Sequence, residues 1–225
     1  IVDRYVACDA LGMSAEAPVL VVKELDEREY IGGAAIVASH VRTLGAECYY
    51  LSVVGEDDPA RFVDESLEEL GVSSSLLFDS SRPTTYKTRY IVENQKLFRV
   101  SRLKEHKISK ELEQTVIERV EELAPQLDGI LVSDFTYGVI TDNLLSRVRE
   151  IAKQYGIQLY GDLQCSSQVG DVTKFKGFNL VTPTEKEARI ALNNYEVGVE
   201  WLANKLVETI SGRYMLMKLG SNGFI

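Results

Sequence analysis

Gly32 and Gly33 sit where a strand-like run ends and an apolar-striped helix begins, within the stretch 28–46. Glycines at such a junction let the backbone approach a ligand and leave helix N–H groups facing it, so the junction suits a small-molecule site. The same pair also serves a tight turn with close helix–strand packing. Asp134 and Asp162 end two apolar runs, at the strand edge where ligands bind in parallel sheets, although either can instead cap the turn or helix that follows. In the extended segment 84–102, Thr85, Lys87, Arg89 and Ile91 share one face, and Tyr86, Thr88, Tyr90 and Val92 share the other. That cationic face belongs either to a lid over a site, to a subunit contact, or to an edge hairpin with a solvated basic face. His40 and His106 are isolated, which disfavours a histidine metal site.

These residues need elements to hold them. Apolar spacing of 3.6 residues predicts helices over 59–70, 109–127, 141–155, 184–192 and 197–210, with Gly71 and Gly156 as stops and Ser109 as an N-cap. Short apolar runs at 48–54, 129–133, 157–162, 179–182 and 214–219 predict strands. Strands of four to six residues alternating with longer helices indicate parallel βαβ units. Segments 17–31 and 84–102 break this rhythm and predict a small separate β-layer, with a turn at Glu93-Asn94-Gln95.

Composition sets bounds. At 225 residues, 45% hydrophobic and 26% charged, the chain can bury the core of one large soluble domain. No apolar run approaches a membrane span and no signal peptide opens the chain, so no membrane partner and a cytoplasmic location are expected. A net charge of −9 argues against a general nucleic-acid surface. Cys8, Cys48 and Cys165 are odd in number and scattered, and read as reduced thiols. Both ends read as truncated: no methionine precedes Ile1, and 218–225 runs from a strand into a turn.

Taken in order and spacing, several short motifs resemble the ribokinase-like (PfkB) carbohydrate kinases, and most closely the heptose 7-phosphate kinase domain of the ADP-heptose synthases. They are Asp3-Arg4-Tyr5, residues 14–23, Gly32-Gly33-Ala34-Ala35, Val54-Gly55-Glu56-Asp57-Asp58, residues 84–89, Leu131-Val132-Ser133-Asp134-Phe135, and Leu180-Val181-Thr182-Pro183 with Glu187. The resemblance implies a three-layer α/β/α domain over 1–225, with a mainly parallel sheet and the lid segments 17–31 and 84–102. It implies phosphorylation of a sugar or sugar phosphate by ATP with magnesium, and a homodimer formed through the β lid. Asp3 would hold a sugar diol, with Gly32, Gly33 and Asp134 against the substrate. Lys87, Arg89 and Arg99 would face its phosphate, unless they form a solvated strand face. Asp162, Thr184, Glu187, Lys218 and Gly220 would lie about the nucleotide, Glu187 orienting magnesium directly or through water. The family's base, the aspartate of a Gly-Ala-Gly-Asp motif, would come after residue 225.

The departures from the family pattern fall at functional positions. Ile36 stands in place of an asparagine, Tyr137 and Gln164 in place of lysines, Leu163 in place of a proline, Thr184 in place of an asparagine, and Lys218-Leu219 in place of Thr-Arg. At about 1.5–3 kcal/mol for each charge-assisted bond, two missing cations would cost roughly two to four powers of ten unless replaced. Two further readings therefore stand beside an active sugar-phosphate kinase. One is a degenerate kinase fold kept for ligand binding or dimerisation, and the other is a kinase for nucleosides or other small alcohols.

Overall fold

The computed structural model describes residues 1–165 and 169–225, which form two compact units, Ile1–Lys104 and Glu105–Ile225. The first contains β1 (Val2–Met13), β2 (Leu20–Ile31), α1 (Ala34–Thr43), β3 (Tyr49–Val54), α2 (Asp58–Glu69), β4 (Ser73–Phe78), β5 (Tyr86–Val92) and β6 (Gln95–Arg102). Its larger sheet has the order β2-β1-β5-β6, with β1 antiparallel to β2 and parallel to β5. A parallel β1/β5 pair cannot be closed by a tight turn, and here the helices and the parallel β3/β4 pair lie between the two strands in sequence. Period-two alternation puts Val2 and Val6 on the buried face of β1. Val2 and Ile31 then pack with Ala35 and Ala38 of α1, Val63 and Leu67 of α2, Tyr50 and Val72. Asp57 starts α2: its Oδ1 accepts from the Ala60 N–H at 3.2 Å, and its Oδ2 from the Thr84 N–H at 3.0 Å, tying the helix to the start of β5.

Both segments that break the βαβ rhythm are β-structure: 17–31 contains β2, and 84–102 contains β5 and β6 around a turn with Glu93 at φ 53°. Glu93 and Asn94 form that turn, and Gln95 already pairs with Val92. The larger sheet also recruits β1, and in the separate two-stranded sheet β4 pairs with β3 where Ser73-Ser74-Ser75 gave no apolar signal.

The second unit contains α3 (Lys110–Leu123), β7 (Gly129–Asp134), α4 (Asp142–Tyr155), β8 (Gln158–Leu163), β9 (Leu180–Val181), α5 (Glu185–Leu192), α6 (Val199–Ile210) and β10 (Tyr214–Met215). Its four strands are all parallel in the order β10-β9-β8-β7, so their carboxyl ends lie along one edge. Caps follow the sequence: Ser109 accepts from the Leu112 N–H, Thr141 from the Leu144 N–H, and Gly156 closes α4 at φ 73°. The strand expected over 214–219 is shorter than its apolar run. Only Tyr214–Met215 is regular strand, yet the Leu216 N–H donates to Val181 O and the Lys218 N–H to Pro183 O, so the chain still follows β9 and the residues after it, while Met217 exchanges backbone hydrogen bonds with Ile225. Helix α6 begins at Val199 rather than 197, behind Gly198.

Candidate functional site

In the first unit the expected substrate residues gather on one face of the larger sheet. Asp3 on β1 is flanked in register by Tyr30 of β2 and Lys87 of β5, and Tyr5 is flanked by Arg28 and Arg89. Arg99 of β6 lies directly across from Arg89. Register partners point to the same side of a sheet, so Asp3, Lys87, Arg89 and Arg99 share a face. Lys87 is only 4% exposed, which separates it from an ordinary surface lysine. Arg89 Nη1 donates to Asp3 Oδ1 at 2.6 Å, and its guanidinium lies 5.2 Å from the centre of the Tyr5 ring, which meets Tyr30 edge-on. The solvated-hairpin alternative does not fit Lys87 or Arg89, whereas Arg99 is exposed and has no ion-pair partner among the described residues.

The two glycines are required for separate reasons. A Cβ at Gly32 would lie 2.3 Å from Asp3 Oδ2, so the carboxylate rests on bare backbone. Gly33 is the residue before α1, at φ 60° and ψ −133°, a conformation open to glycine, and no side chain caps the helix there. Ile36, in place of an asparagine, is partly exposed on the first turn of α1.

The opposite face of the same sheet carries an open cleft of about 480 Å³ lined by Glu29, Asp58, Pro59, Phe62, Tyr86 and Arg102. None of the expected site residues lines it. Burial, and then the Glu29 carboxylate that accepts the phenol's hydrogen bond, push the Tyr86 pKa up to about 12.

In the second unit the carboxyl edge of the sheet holds two acid–lysine pairs. Asp134 is 2% exposed; its Oδ1 accepts from the Thr136 N–H at 2.7 Å and its Oδ2 from Lys174 Nζ at 2.5 Å. Thr136 has φ 60°, an uncommon value for a β-branched residue. Asp162 Oδ1 accepts from Thr182 Oγ1 at 2.7 Å and from Lys218 Nζ at 2.8 Å, and its Oδ2 from Gln164 Nε2 at 3.2 Å. Tyr137 is buried and stacks with Phe135, while Leu163 is fully buried. The two strand ends that lack lysines at 137 and 164 thus carry Lys174 and Lys218 instead. Lys174 was not foreseen, because a 3-10 turn at Val172–Phe175 brings it across 40 residues and no sequence periodicity links the two positions.

Thr184 and Glu187 form a reciprocal capping box on α5: Glu187 Oε2 accepts from the Thr184 N–H at 2.8 Å, and the Glu187 N–H donates to Thr184 Oγ1 at 3.2 Å. Glu187 Oε1 accepts from the Cys165 N–H at 3.1 Å, and the residue is 5% exposed. Burial pushes the Cys165 thiol pKa up, leaving a poor metal ligand beside it. No group of three His, Cys, Asp or Glu among the described residues is arranged to hold a metal ion. Magnesium in kinases takes one or two carboxylates plus substrate phosphates, and Glu187, with both oxygens engaged by backbone N–H groups, fits contact through water. The backbone of Lys218 bridges to Thr184, and the Lys218 carbonyl accepts from the Glu185 N–H at 3.1 Å, so the Asp162 pair and the capping box are one assembly. Gly220 has φ 62° with open space around it, so backbone conformation rather than crowding calls for glycine there.

No helix of the described residues is long and apolar enough to cross a membrane. The family model for "pfkB family carbohydrate kinase" matches residues 2–225. The chain is 35% identical to "Bifunctional protein HldE" of Campylobacter jejuni over 230 residues, covering 99% of this chain and 46% of that protein. It is 35% identical to the protein of the same name from Helicobacter hepaticus over 191 residues, 84% of this chain and 39% of the relative. The chain therefore spans less than half the length of these relatives. Among solved structures it resembles Escherichia coli phosphofructokinase-2 in complex with fructose-6-phosphate, with a TM-score of 0.76 at 15% identity, covering 99% of this chain and 73% of the other. Ribokinase from Giardia lamblia gives a TM-score of 0.73 at 14% identity, covering 99% and 72%. The fold is ribokinase-like α/β.

Proposed function

The chain belongs to the pfkB family of carbohydrate kinases, and on that premise we propose that it phosphorylates a sugar phosphate from Mg-ATP, D-glycero-β-D-manno-heptose 7-phosphate being converted to the 1,7-bisphosphate. One observation carries the choice of a phosphorylated over a neutral sugar: the diol-binding candidate Asp3 shares its sheet face with Lys87, Arg89 and Arg99. A carboxylate accepts hydrogen bonds from paired hydroxyls, and guanidinium and ammonium groups hold a phosphate by charge-assisted bonds. The heptose substrate rests on the resemblance of the motifs to heptose 7-phosphate kinase domains, and the relatives at 35% identity carry the name bifunctional protein HldE.

In this reading the sugar rests its hydroxyls on Asp3 over the bare backbone of Gly32 and Gly33, with its phosphate toward Lys87, Arg89 and Arg99, and Asp134 is kept as a further substrate contact on the resemblance alone. Lys218, Asp162 and Gly220 lie along the nucleotide, where Lys218 offsets phosphate charge while Asp162 holds its ammonium in place. Thr184 fixes Glu187, and Glu187 orients magnesium through water; the ion, when bound, neutralises charge on the transferring phosphoryl group. The sequence contains no Gly-Ala-Gly-Asp, so no residue here is assigned as the base. The cations at Asp134 and Asp162 favour a working site over a degenerate one, because a retired phosphate site has no need to keep its charge. The lid is also proposed as the homodimer contact. Leu11 and Met13, 63% and 65% exposed, extend from β1, with Leu20 and Leu25 exposed on β2 and Phe98 and Val100 on β6.

The test is ADP release by the intact protein with Mg-ATP across heptose 7-phosphate, other sugar phosphates, neutral sugars and nucleosides. Turnover is expected on heptose 7-phosphate. Turnover confined to neutral sugars or nucleosides refutes the substrate, and none on any compound despite measurable ligand binding identifies a degenerate site.

A further inference from the structure

The pairing of Arg89 with Asp3 has a consequence for substrate choice that rests on the sugar-phosphate reading above. Asp3 Oδ1 already accepts a charge-assisted bond from Arg89 Nη1 at 2.6 Å, and both side chains are less than one-fifth exposed. The other oxygen, Oδ2, lies against the Gly32 backbone, where a Cβ would come within 2.3 Å. A sugar diol that takes both carboxylate oxygens must therefore displace or share the guanidinium. Giving up that bond without a substitute leaves a partly buried cation unpaired. Arg89 is also set directly across from Arg99, and like charges opposed in a strand pair destabilise each other. A dianion placed between these two forks offers Arg89 a replacement partner and relieves the opposition at the same time.

We infer that Arg89 is the specificity-determining residue of the site: in the free protein it guards Asp3, and it transfers to the phosphate of an arriving sugar phosphate, which opens the carboxylate to the hydroxyls. A neutral sugar presents the hydroxyls without the anion and meets a guarded carboxylate. Selection then comes from linkage between two contacts on one sheet face, in addition to the attraction of the cations for phosphate. The Tyr5 ring on which Arg89 lies keeps the guanidinium on this face in either position.

The experiment is calorimetric binding of heptose 7-phosphate and of the unphosphorylated heptose to the intact protein, wild type, Arg89→Gln and Arg89→Lys, with thermal unfolding as the folding control. Arg89→Gln is expected to weaken the sugar phosphate by about 10- to 100-fold, the worth of one or two charge-assisted bonds, while the neutral sugar binds equally well or several-fold better. Arg89→Lys, which keeps the charge and loses the fork, should shift both in the same directions by less, and it carries the test if Arg89→Gln fails to fold. Equal weakening of both ligands overturns the inference, since Arg89 would then only position Asp3. Wild-type protein that binds the neutral sugar as tightly as the phosphate, or binds it alone, overturns the sugar-phosphate reading and the inference together.

Discussion

Gly32→Ala offers the sharpest test of how Asp3 packs on the larger sheet of the first unit. The new Cβ would lie 2.3 Å from Asp3 Oδ2 and 2.8 Å from its Cγ, about 1 Å inside van der Waals contact. Asp3 cannot yield freely, because Arg89 clasps its other oxygen. Overpacking of this kind costs about 1–3 kcal/mol. Alanine returns about 0.4–1 kcal/mol by restricting the unfolded chain, since Gly32 does not have positive φ. The net expectation is a loss of about 1–2 kcal/mol, or roughly 2–8 °C in Tm for a chain of this size. In an Asp3→Ala background the obstacle is gone and only the unfolded-state gain remains, so the same glycine replacement should stabilise by about 0.4–1 kcal/mol. Urea unfolding of the four proteins of this double-mutant cycle measures the reversal of sign. A neutral Gly32→Ala in the wild type, or the same cost with and without Asp3, would refute the packing of that carboxylate on Gly32 and with it the site built on it.

Two other perturbations probe the same sheet. Tyr86 has its pKa raised to about 12 by burial and by its Glu29 acceptor, so the folded protein holds this proton more tightly than the unfolded chain, where the ordinary value is near 10. The stability it contributes is complete below pH 10 and lost as pH rises through 12. Tyr86→Phe should therefore flatten the fall in Tm over that window, and an unchanged alkaline slope would exclude Tyr86 as its source. If the lid pairs two copies, Leu11→Lys with Met13→Lys should convert a dimer to a monomer in sedimentation while Mg-ATP binding stays unchanged; a wild type that sediments as a monomer rejects the dimer.

The sequence disclosed helices better than it disclosed the site. Caps and stripes gave α2 to α5 within a residue or two, except that α3 ends at Leu123 ahead of a short 3-10 turn, because Ser109, Thr141, Thr184 and Gly156 act through neighbours three or four residues away. The facing of Lys87 and Arg89 was legible for the same reason, since strand alternation is local. What stayed hidden depends on distant pairing. β1 reads as a charged, irregular opening until β5, more than eighty residues on, lies beside it and makes Asp3 a neighbour of Lys87. The lysines on Asp134 and Asp162 come from 40 and 56 residues away, so their absence from positions 137 and 164 looked like lost charge. Family resemblance supplied Asp3 and Lys218, and only three-dimensional contact supplied Lys174.

The β1–β2 ladder contains two irregularities, between Ala7 and Cys8 and between Ala10 and Gly12, both on the far side of Asp3 from Gly32. A one-residue slip in a regular ladder would exchange Asp3 for Arg4 on the face shared with Lys87 and Arg89 and reverse the charge at the proposed sugar contact. Bulges absorb an extra residue locally, and these two lie between the hairpin tip and the segment Val2–Val6 that carries Asp3. Insertions and deletions at the tip can therefore accumulate over generations without shifting the frame of Asp3. The outer end of this strand is free to diversify while its inner end stays fixed.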